Sequence, residues 1–203
     1  MLVLVAGAGG YADRALAQAA PAPGAELFAL CAQCHGPVGH GNPGLGAPGL
    51  TALEPWYLAR QLRGFAQGLR GDADADPHEP VMETIAHAVA DEATIASLIA
   101  HVDGLPEYVP AVTIVGDTER GRQLFEACAS CHGAAGEGDA VLGAPGLAYR
   151  DDWYLRAQIE AFLSGERGSH RDDMYGQQMV PVSRVVTDAQ AVLDLVAFIN
   201  TLE

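Results

Sequence analysis

Lysine is missing from this sequence: all eleven basic residues among its 203 positions are arginine. Against them stand 26 acidic residues, so the formal net charge is −15. Such a charge disfavours binding to nucleic acid or to an anionic membrane surface, because both carry the same sign. Two interpretations of the charge stay open: it keeps the protein soluble, or it steers the chain toward a basic patch on a protein partner.

Long hydrophobic runs are also missing, since no stretch approaches the roughly 20 apolar residues of a transmembrane helix. Residues 1–23 differ from the rest of the chain and resemble a secretory signal. They hold a short apolar run at 2–6 and small-residue cleavage patterns at 15–17 and 17–19, although no basic residue precedes the run. We therefore expect export, with this segment either cleaved or retained as an anchor or docking segment.

Cysteine is rare as well, and all four cysteines fall in two copies of the pattern C-x-x-C-H, at 31–35 and 128–132. This pattern is the attachment motif of c-type haem. On one helical turn the two thiols can each form a thioether to a haem vinyl group, and the next imidazole then reaches the iron. The predicted attachment residues are Cys31, Cys34, Cys128 and Cys131, and the predicted proximal iron ligands are His35 and His132.

A single C-x-x-C has other uses, which include a redox dithiol, half of a zinc site and a disulfide. A thioredoxin-like dithiol requires a β-α-β context, and the sequence shows none. A zinc site would have to gather ligands from both copies. Both copies continue with histidine and then glycine, Gly36 and Gly133, which favours haem attachment over these alternatives.

The two motifs belong to a longer repeat with an offset of 97 residues and no gap. The hexapeptide LGAPGL at 45–50 recurs at 142–147, and the tripeptide WYL at 56–58 recurs at 153–155. Further identities at this offset include Gln61, Phe65, Arg70, Met82 and Leu98. The chain is therefore an internal duplication of one small domain.

The repeat predicts an all-α fold of two tandem domains, each with a few helices wrapped around a haem. We place the domains at 24–104 and 117–203, joined by a linker at 105–116 that is rich in proline and glycine. Apolar periodicity and helix caps predict three helices in each domain. Their ranges are 24–34, 55–67 and 91–103, then 117–131, 152–164 and 187–202. The segment 69–90 is predicted to be mostly loop.

Methionine is the ligand that completes haem iron in cytochromes with a raised potential. Met82 and Met179 each lie 48 residues after the second cysteine of their own motif. Met174 aligns instead with Pro77, which cannot ligate, and its expected role is packing. We therefore predict Met82 and Met179 as the distal ligands. His78, four residues before Met82, stays as a minor alternative in the first domain.

Pro48 and Pro145 occupy the same place in the repeated hexapeptide. A proline carbonyl is held rigidly, so each is a candidate acceptor for the N–H of the proximal imidazole, which would fix the ring's orientation. The alternative is that each proline only forms a turn.

Four polar-tipped residues are also kept in both copies: Trp56, Trp153, Arg70 and Arg167. Their N–H groups are candidate hydrogen-bond donors to haem propionates. For the tryptophans, plain core packing is an equally good interpretation.

Taken together, these residues resemble class I cytochromes c, and the tandem arrangement resembles the dihaem cytochrome c4 group. The glycine–phenylalanine pairs 24/28 and 121/125 match the family's N-terminal helix, which crosses the C-terminal helix. Phe198 stands where the family usually has an aromatic residue in that last helix. His101 takes this place in the first domain, a departure that is expected to weaken the helix crossing.

The resemblance implies a periplasmic electron carrier with two covalently bound haem c groups and no catalytic residues. It implies two domains that face each other across a pseudo-twofold axis, with propionates inward. The implied partners are redox proteins, namely a quinol-oxidising complex, a dehydrogenase or a terminal oxidase, with no small-molecule substrate. Membrane contact is expected only through a partner or a retained N-terminal segment.

Two other functions compete with the free carrier. The first is a dihaem electron-transfer subunit fixed in a larger enzyme, such as a flavocytochrome dehydrogenase or an oxidase. The second is a dihaem peroxidase, which needs an open iron coordination site. Methionine at both distal positions argues against the peroxidase.

Overall fold

The computed structural model of the chain describes residues 23–70 and 79–202, and within these residues it is helical with no β-strand. The all-α prediction is confirmed. Residues 1–22 of the predicted signal, and the alternative ligand His78, lie outside the described residues. The helices are α1 (Gly24–His35), α2 (Pro55–Ala66), α3 (Glu79–Ala88), α4 (Glu92–Asp103), α5 (Thr118–His132), α6 (Asp152–Ser164), α7 (Met174–Ser183) and α8 (Ala189–Ile199).

The first and last helices of each domain cross and form its core, α1 with α4 and α5 with α8. Phe28 and Phe125 are buried at the two crossings and pack against the apolar face of the last helix. His101 lies 5.2 Å from Phe28 between ring centroids, and Phe198 lies 5.3 Å from Phe125. Histidine therefore keeps the ring contact that phenylalanine makes in the second domain.

Each crossing depends on a glycine. A Cβ atom at Gly24 would overlap the backbone carbonyl oxygen of Ser97, and one at Gly121 would overlap that of Asp194. The backbones of the crossing helices thus approach more closely than any other residue allows. This contact explains why both copies keep glycine at this position.

The helices that carry Met82 and Met179 were not expected, and the prediction that 69–90 is mostly loop is wrong over α3. Pro80 in α3 and Pro181 inside α7 argue against a helix in the sequence. Pro80 lies in the first turn, where the missing N–H has no helical partner to lose. In α7 the side chain of Asp173 caps the first turn by accepting from the Gly176 N–H.

Two buried carboxylates fix the start of the second domain. Asp152 accepts hydrogen bonds from the backbone N–H groups of Thr113 and Ile114 and from the Thr113 hydroxyl. Asp194 accepts from the Asp117 N–H and from Arg120, its ion-pair partner at 2.9 Å. These bonds hold the chain that precedes α5 against the second domain.

Among the described residues, no single helix is long and apolar enough to cross a membrane. The helical stretches Pro80–Ala88 and Glu92–Asp103 reach that length and composition only when taken together, and they are bent by 112°.

All of the extensive helix packing in the described residues lies within one domain or the other. The domains meet instead through loops and side chains, and several of these contacts occur in pairs related by the 97-residue offset. The interface is therefore built from the same segments that carry the predicted haem-binding residues.

Candidate haem sites and the interface between them

The proximal histidines are the last residues of α1 and α5. Gly36 and Gly133 follow them with φ angles of 81° and 82°, which turn the chain sharply out of each helix. The C-x-x-C-H motif thus ends each helix, and its spacing puts both thiols and the imidazole on one side of the helix.

A hydrogen bond fixes each proximal imidazole. The Nδ1 of His35 lies 2.7 Å from the Pro48 carbonyl oxygen, and the Nδ1 of His132 lies 2.7 Å from that of Pro145. A carbonyl oxygen can only accept, so Nδ1 is the protonated nitrogen and Nε2 keeps its lone pair for iron. Burial lowers the pKa of both histidines, so both rings stay neutral and able to ligate.

The four cysteines are free of disulfides. Burial raises the pKa of Cys31, and it raises the pKa of Cys128 to about 11. These surroundings disfavour a thiolate, which both a zinc site and a reactive dithiol require. A thioether carries no ionisable group, so the surroundings suit sulfurs that are bonded to haem.

A cavity of about 650 Å³ lies beside the second motif, within the usual range for cofactor sites. Its lining includes Cys128, Cys131, His132 and Met179, so attachment residues and both predicted ligands face one space. Met174 also lines the cavity, but its side chain is 62% exposed. The gapless repeat remains the reason to prefer Met179.

The charge at the edge of this cavity suits an anionic cofactor. Arg167 is buried, and its Nε has no hydrogen-bond partner among the described residues. A buried guanidinium N–H without an acceptor is costly unless a ligand supplies one. A haem propionate would supply both the acceptor and the compensating negative charge, so the residues present fit haem.

Trp56 and Trp153 lie elsewhere, and neither is among the described residues that line the cavity. Each packs edge-on against the tyrosine that follows it, with ring centroids 5.8 Å apart in both domains. Arg60 also stacks on Trp56, 4.9 Å from its ring centroid. The propionate role of the tryptophans stays a prediction.

Arg70 and Arg167 meet across the interface through two glutamines. Arg70 donates to the Oε1 atoms of Gln61 at 2.6 Å and Gln158 at 3.1 Å. Arg167 donates to the Oε1 atoms of Gln158 at 2.5 Å and Gln61 at 3.3 Å. Each arginine thus binds the glutamine of its own domain and that of the other. The repeat shows that both copies keep the glutamine, but only the fold shows that each glutamine also contacts the arginine of the other domain.

Tyr57 is buried under this cluster of positive charge. Burial alone would raise the pKa of its hydroxyl, but Arg167, Arg70 and Arg60 together outweigh burial and lower it. Arg60 also crosses the interface by donating to the carbonyl oxygen of Gly143 at 2.7 Å. The part of the interface around Tyr57 is therefore cationic, although the whole chain is acidic.

A second reciprocal contact joins the domains at the peptides beside the predicted haem-facing prolines. Glu54 Oε1 accepts from the Gly146 N–H at 2.7 Å, and Asp151 Oδ2 accepts from the Gly49 N–H at 2.7 Å. The two carboxylates are related by the 97-residue offset. A comparison by identity misses them because one is glutamate and the other aspartate, although their chemistry is the same.

The cytochrome c family model matches this chain twice, over residues 21–106 and 118–203. The chain is 35% identical over 195 residues to a thiosulfate dehydrogenase electron acceptor of Thiomonas intermedia, covering 87% of this chain and 82% of that protein. It is 35% identical over 155 residues to the cbb3-type cytochrome c oxidase subunit FixP of Rhizobium etli, covering 73% of this chain and 51% of FixP.

Solved structures share the fold. A thiosulfate dehydrogenase of Marichromatium purpuratum superposes with a TM-score of 0.65 at 32% identity, covering 84% of this chain and 36% of that one. Cytochrome c4 of Acidithiobacillus ferrooxidans superposes with a TM-score of 0.68 at 23% identity, covering 86% of this chain and 99% of that one.

Proposed function

Because the chain belongs to the cytochrome c family and carries two covalently bound haem c groups, we propose that it is a periplasmic electron carrier. It accepts electrons from a dehydrogenase and passes them singly to a respiratory acceptor. The observation that carries this proposal is the duplicated proximal geometry, in which His35 and His132 each donate to a proline carbonyl at 2.7 Å. That bond fixes the tautomer and the ring orientation in which Nε2 can ligate iron.

Each domain supplies a complete set of residues for one haem. Cys31 and Cys34 in the first domain, and Cys128 and Cys131 in the second, would hold the haems through thioethers. His35 with Met82, and His132 with Met179, would ligate the irons. Arg70 and Arg167 would bind propionates, and Trp56 and Trp153 are further candidate donors. The domains span 24–104 and 117–203, with 105–116 as the linker.

Haem iron, when bound, supplies a reversible one-electron couple. A histidine and a methionine would together fill both remaining coordination positions, so little would have to move when the charge changes. Filled positions also leave no place for peroxide, which argues against a peroxidase. The buried helices around each site exclude water and keep the local dielectric low.

The interface suits electron exchange between the two sites. The cavity of the second domain is lined by residues of both domains, including Gln61 and Arg70 from the first. The arginine–glutamine network fixes these side chains, so they would neutralise the charge of a bound propionate without rearrangement. Residues of both domains would thus hold the haem of the second site close to the first domain, in an arrangement that suits exchange of electrons between the two sites.

The proposed donor is a thiosulfate-oxidising dehydrogenase. The similarity to the Thiomonas intermedia electron acceptor extends over 82% of that protein, so it covers nearly the whole of both chains. The similarity to FixP covers 51% of that subunit. A fixed subunit of an oxidase is therefore the second candidate.

The test is to mix the oxidised dihaem protein with a purified thiosulfate dehydrogenase and thiosulfate under anaerobic conditions. We expect both haems to become reduced, seen as growth of the reduced α-band, and no reduction when the dehydrogenase is left out. If dithionite reduces both haems but the dehydrogenase reduces neither, this donor is wrong. Copurification of the native protein with oxidase subunits would favour the second candidate.

A further inference from the structure

In the second domain, one peptide group joins the proximal histidine to a carboxylate of the first domain. The carbonyl of this peptide belongs to Pro145 and accepts the Nδ1–H of His132 at 2.7 Å. The N–H of the same peptide belongs to Gly146 and donates to Glu54 Oε1 at 2.7 Å. The chain of contacts therefore runs from imidazole to peptide to carboxylate, and it crosses the interface.

The first domain has the same arrangement in reverse. The Pro48 carbonyl accepts the Nδ1–H of His35 at 2.7 Å, and the Gly49 N–H donates to Asp151 Oδ2 at 2.7 Å. Each domain thus supplies the carboxylate for the histidine of the other. Both halves of a gapless duplication keep this geometry, which argues against an accidental contact.

Each peptide is held in place from the other side by a glycine. Gly41 and Gly138 have φ angles of 84° and 83°. A Cβ atom at Gly41 would approach the Gly49 nitrogen to 2.6 Å, and one at Gly138 would approach the Gly146 nitrogen to 2.5 Å. This close packing leaves the peptide no room to turn away from the histidine or the carboxylate.

A carboxylate on a peptide N–H changes what the carbonyl of that peptide does. Hydrogen bonds in series polarise one another, so an anion at the N–H makes the carbonyl oxygen a stronger acceptor. A stronger acceptor makes the imidazole a more basic ligand, and a more basic ligand stabilises oxidised iron over reduced iron. The predicted effect of each carboxylate is a lower reduction potential.

We propose that Glu54 and Asp151 are positioning residues that tune the haem of the opposite domain through the Gly146 and Gly49 peptides. Glu54 acts on His132, and Asp151 acts on His35. The inference rests on the proposed axial role of these histidines. It makes the closed interface a determinant of both reduction potentials.

The two carboxylates differ in how far a neighbouring positive charge neutralises them. Glu54 is also paired with Arg150, whose Nη2 lies 3.3 Å from Oε2 and whose Nε donates to the Gly146 carbonyl oxygen at 3.1 Å. The residue at the corresponding position in the first domain is Leu53. Within the described part of the chain, no ion pair involves Asp151. Its charge is less neutralised, so Asp151 is the stronger of the two tuning groups.

The test measures both reduction potentials of the holo protein after Glu54→Gln and after Asp151→Asn. Each amide still accepts a hydrogen bond but carries no charge. Glu54→Gln should raise the potential of the second haem, and Asp151→Asn that of the first. The expected change is about three- to tenfold in the ratio of oxidised to reduced haem, or about 30–60 mV for one electron.

Nuclear magnetic resonance of the reduced protein provides the second readout. The Nδ1–H resonance of the opposite histidine should move upfield in each variant, because its hydrogen bond weakens. Glu92→Gln is the matched control, since it removes the same charge from an exposed ion pair with Arg63. The control should leave both Nδ1–H resonances unchanged.

Three results separate the explanations. Equal shifts in the reduction potentials of both haems in each variant would show a general charge effect and overturn the proposal. Unchanged potentials and resonances would show that the carboxylates only hold the domains together, which also overturns it. A wild-type protein without the spectral signature of methionine ligation would contradict the axial assignment itself, which is part of the proposed function.

Discussion

The two domains hold their predicted haem sites in nearly the same way. The distance from the histidine Nδ1 to the proline carbonyl oxygen is 2.7 Å for His35 and Pro48 and 2.7 Å for His132 and Pro145. These contacts come from segments in which the two copies are most similar in sequence. The contact that orients each proximal histidine therefore gives no reason for the two sites to differ.

The two domains differ instead at residues that do not contact the proximal histidines. Arg150 pairs with Glu54 in the second domain, where the first domain has Leu53. Asp194 binds the start of α5, where the first domain has Ser97. We expect these residues to contribute to any difference in potential between the haems or in stability between the domains. The predictions below test that division, from the largest expected effect to the smallest.

Removal of a distal ligand should have the largest effect. Met179→Ala should abolish one of two methionine–iron charge-transfer bands, and Met82→Ala should abolish the other, because each iron loses one axial ligand. Carbon monoxide should then bind rapidly to the reduced haem of the altered domain. Absorption spectra of the oxidised and reduced proteins measure both effects.

Met174→Ala is the matched control for this comparison. Met174 lies in the same helix as Met179, but its side chain is 62% exposed, so both bands should persist. Loss of a band in this variant would show that the gapless alignment selected the wrong methionine.

Alanine at the helix-crossing glycines should destabilise each domain separately. Gly24→Ala and Gly121→Ala place a methyl group against a backbone carbonyl that cannot move aside, which costs about 1–3 kcal/mol. The chain has two tryptophans, one in each domain, so fluorescence in denaturant of variants that keep only Trp56 or only Trp153 reports which domain unfolds. Equal changes in the two single-tryptophan proteins would show that the domains unfold as one unit.

Much of this structure could be predicted from the sequence because the repeat allows two copies of one domain to be compared position by position. The haem motifs, six of the helices and the proline acceptors come from local patterns such as caps and periodicity. All six predicted helices are present, with ends that differ by at most three residues. The repeat also selects between Met174 and Met179, which composition alone cannot do.

The contacts between domains could not be predicted in this way. Glu54 reaches Gly146 and Asp151 reaches Gly49 only because the domains face each other, and no local pattern encodes that orientation. The helices α3 and α7 were not predicted; Pro181 lies inside α7, where proline disfavours a helix, whereas Pro80 lies in the first turn of α3, where it is tolerated. Local signals thus predict what surrounds each haem, whereas the fold determines what connects them.

Exchange of the crossing aromatics should have a smaller effect on stability. His101→Phe should stabilise the first domain by about 0.5–1 kcal/mol, since a phenylalanine pair gains apolar contact at the same ring distance. Phe198→His should destabilise the second domain by a similar amount. Thermal unfolding followed in each domain measures both changes. If His101→Phe destabilises its domain, the imidazole makes a contact beyond the ring pair.

The smallest expected effect is a pH dependence confined to one haem. Burial raises the pKa of Asp151 above its usual range, and the neighbouring carboxylate of Asp152 also raises it, whereas the Gly49 N–H, the Trp153 side chain and His40 lower it. Burial prevails. The carboxyl group therefore takes up a proton at a higher pH in the folded protein than in the unfolded chain.

The direction of the change in reduction potential follows from the proposed action of Asp151 on His35 through the Gly49 peptide. As the pH falls through the raised pKa, Asp151 loses its charge, the Pro48 carbonyl becomes a weaker acceptor, and the potential of the first haem should rise. The slope of this potential against pH should be a fraction of about 59 mV per pH unit, and Asp151→Asn should remove the slope. The ionised carboxylate also costs folding stability above this pKa, and the cost is absent below the unfolded value of about 3.9. Asp151→Asn should therefore leave stability at neutral pH unchanged or slightly higher. Potentiometric titrations of wild type and variant measure the slope, and one that persists in Asp151→Asn would assign it to another group, such as a propionate.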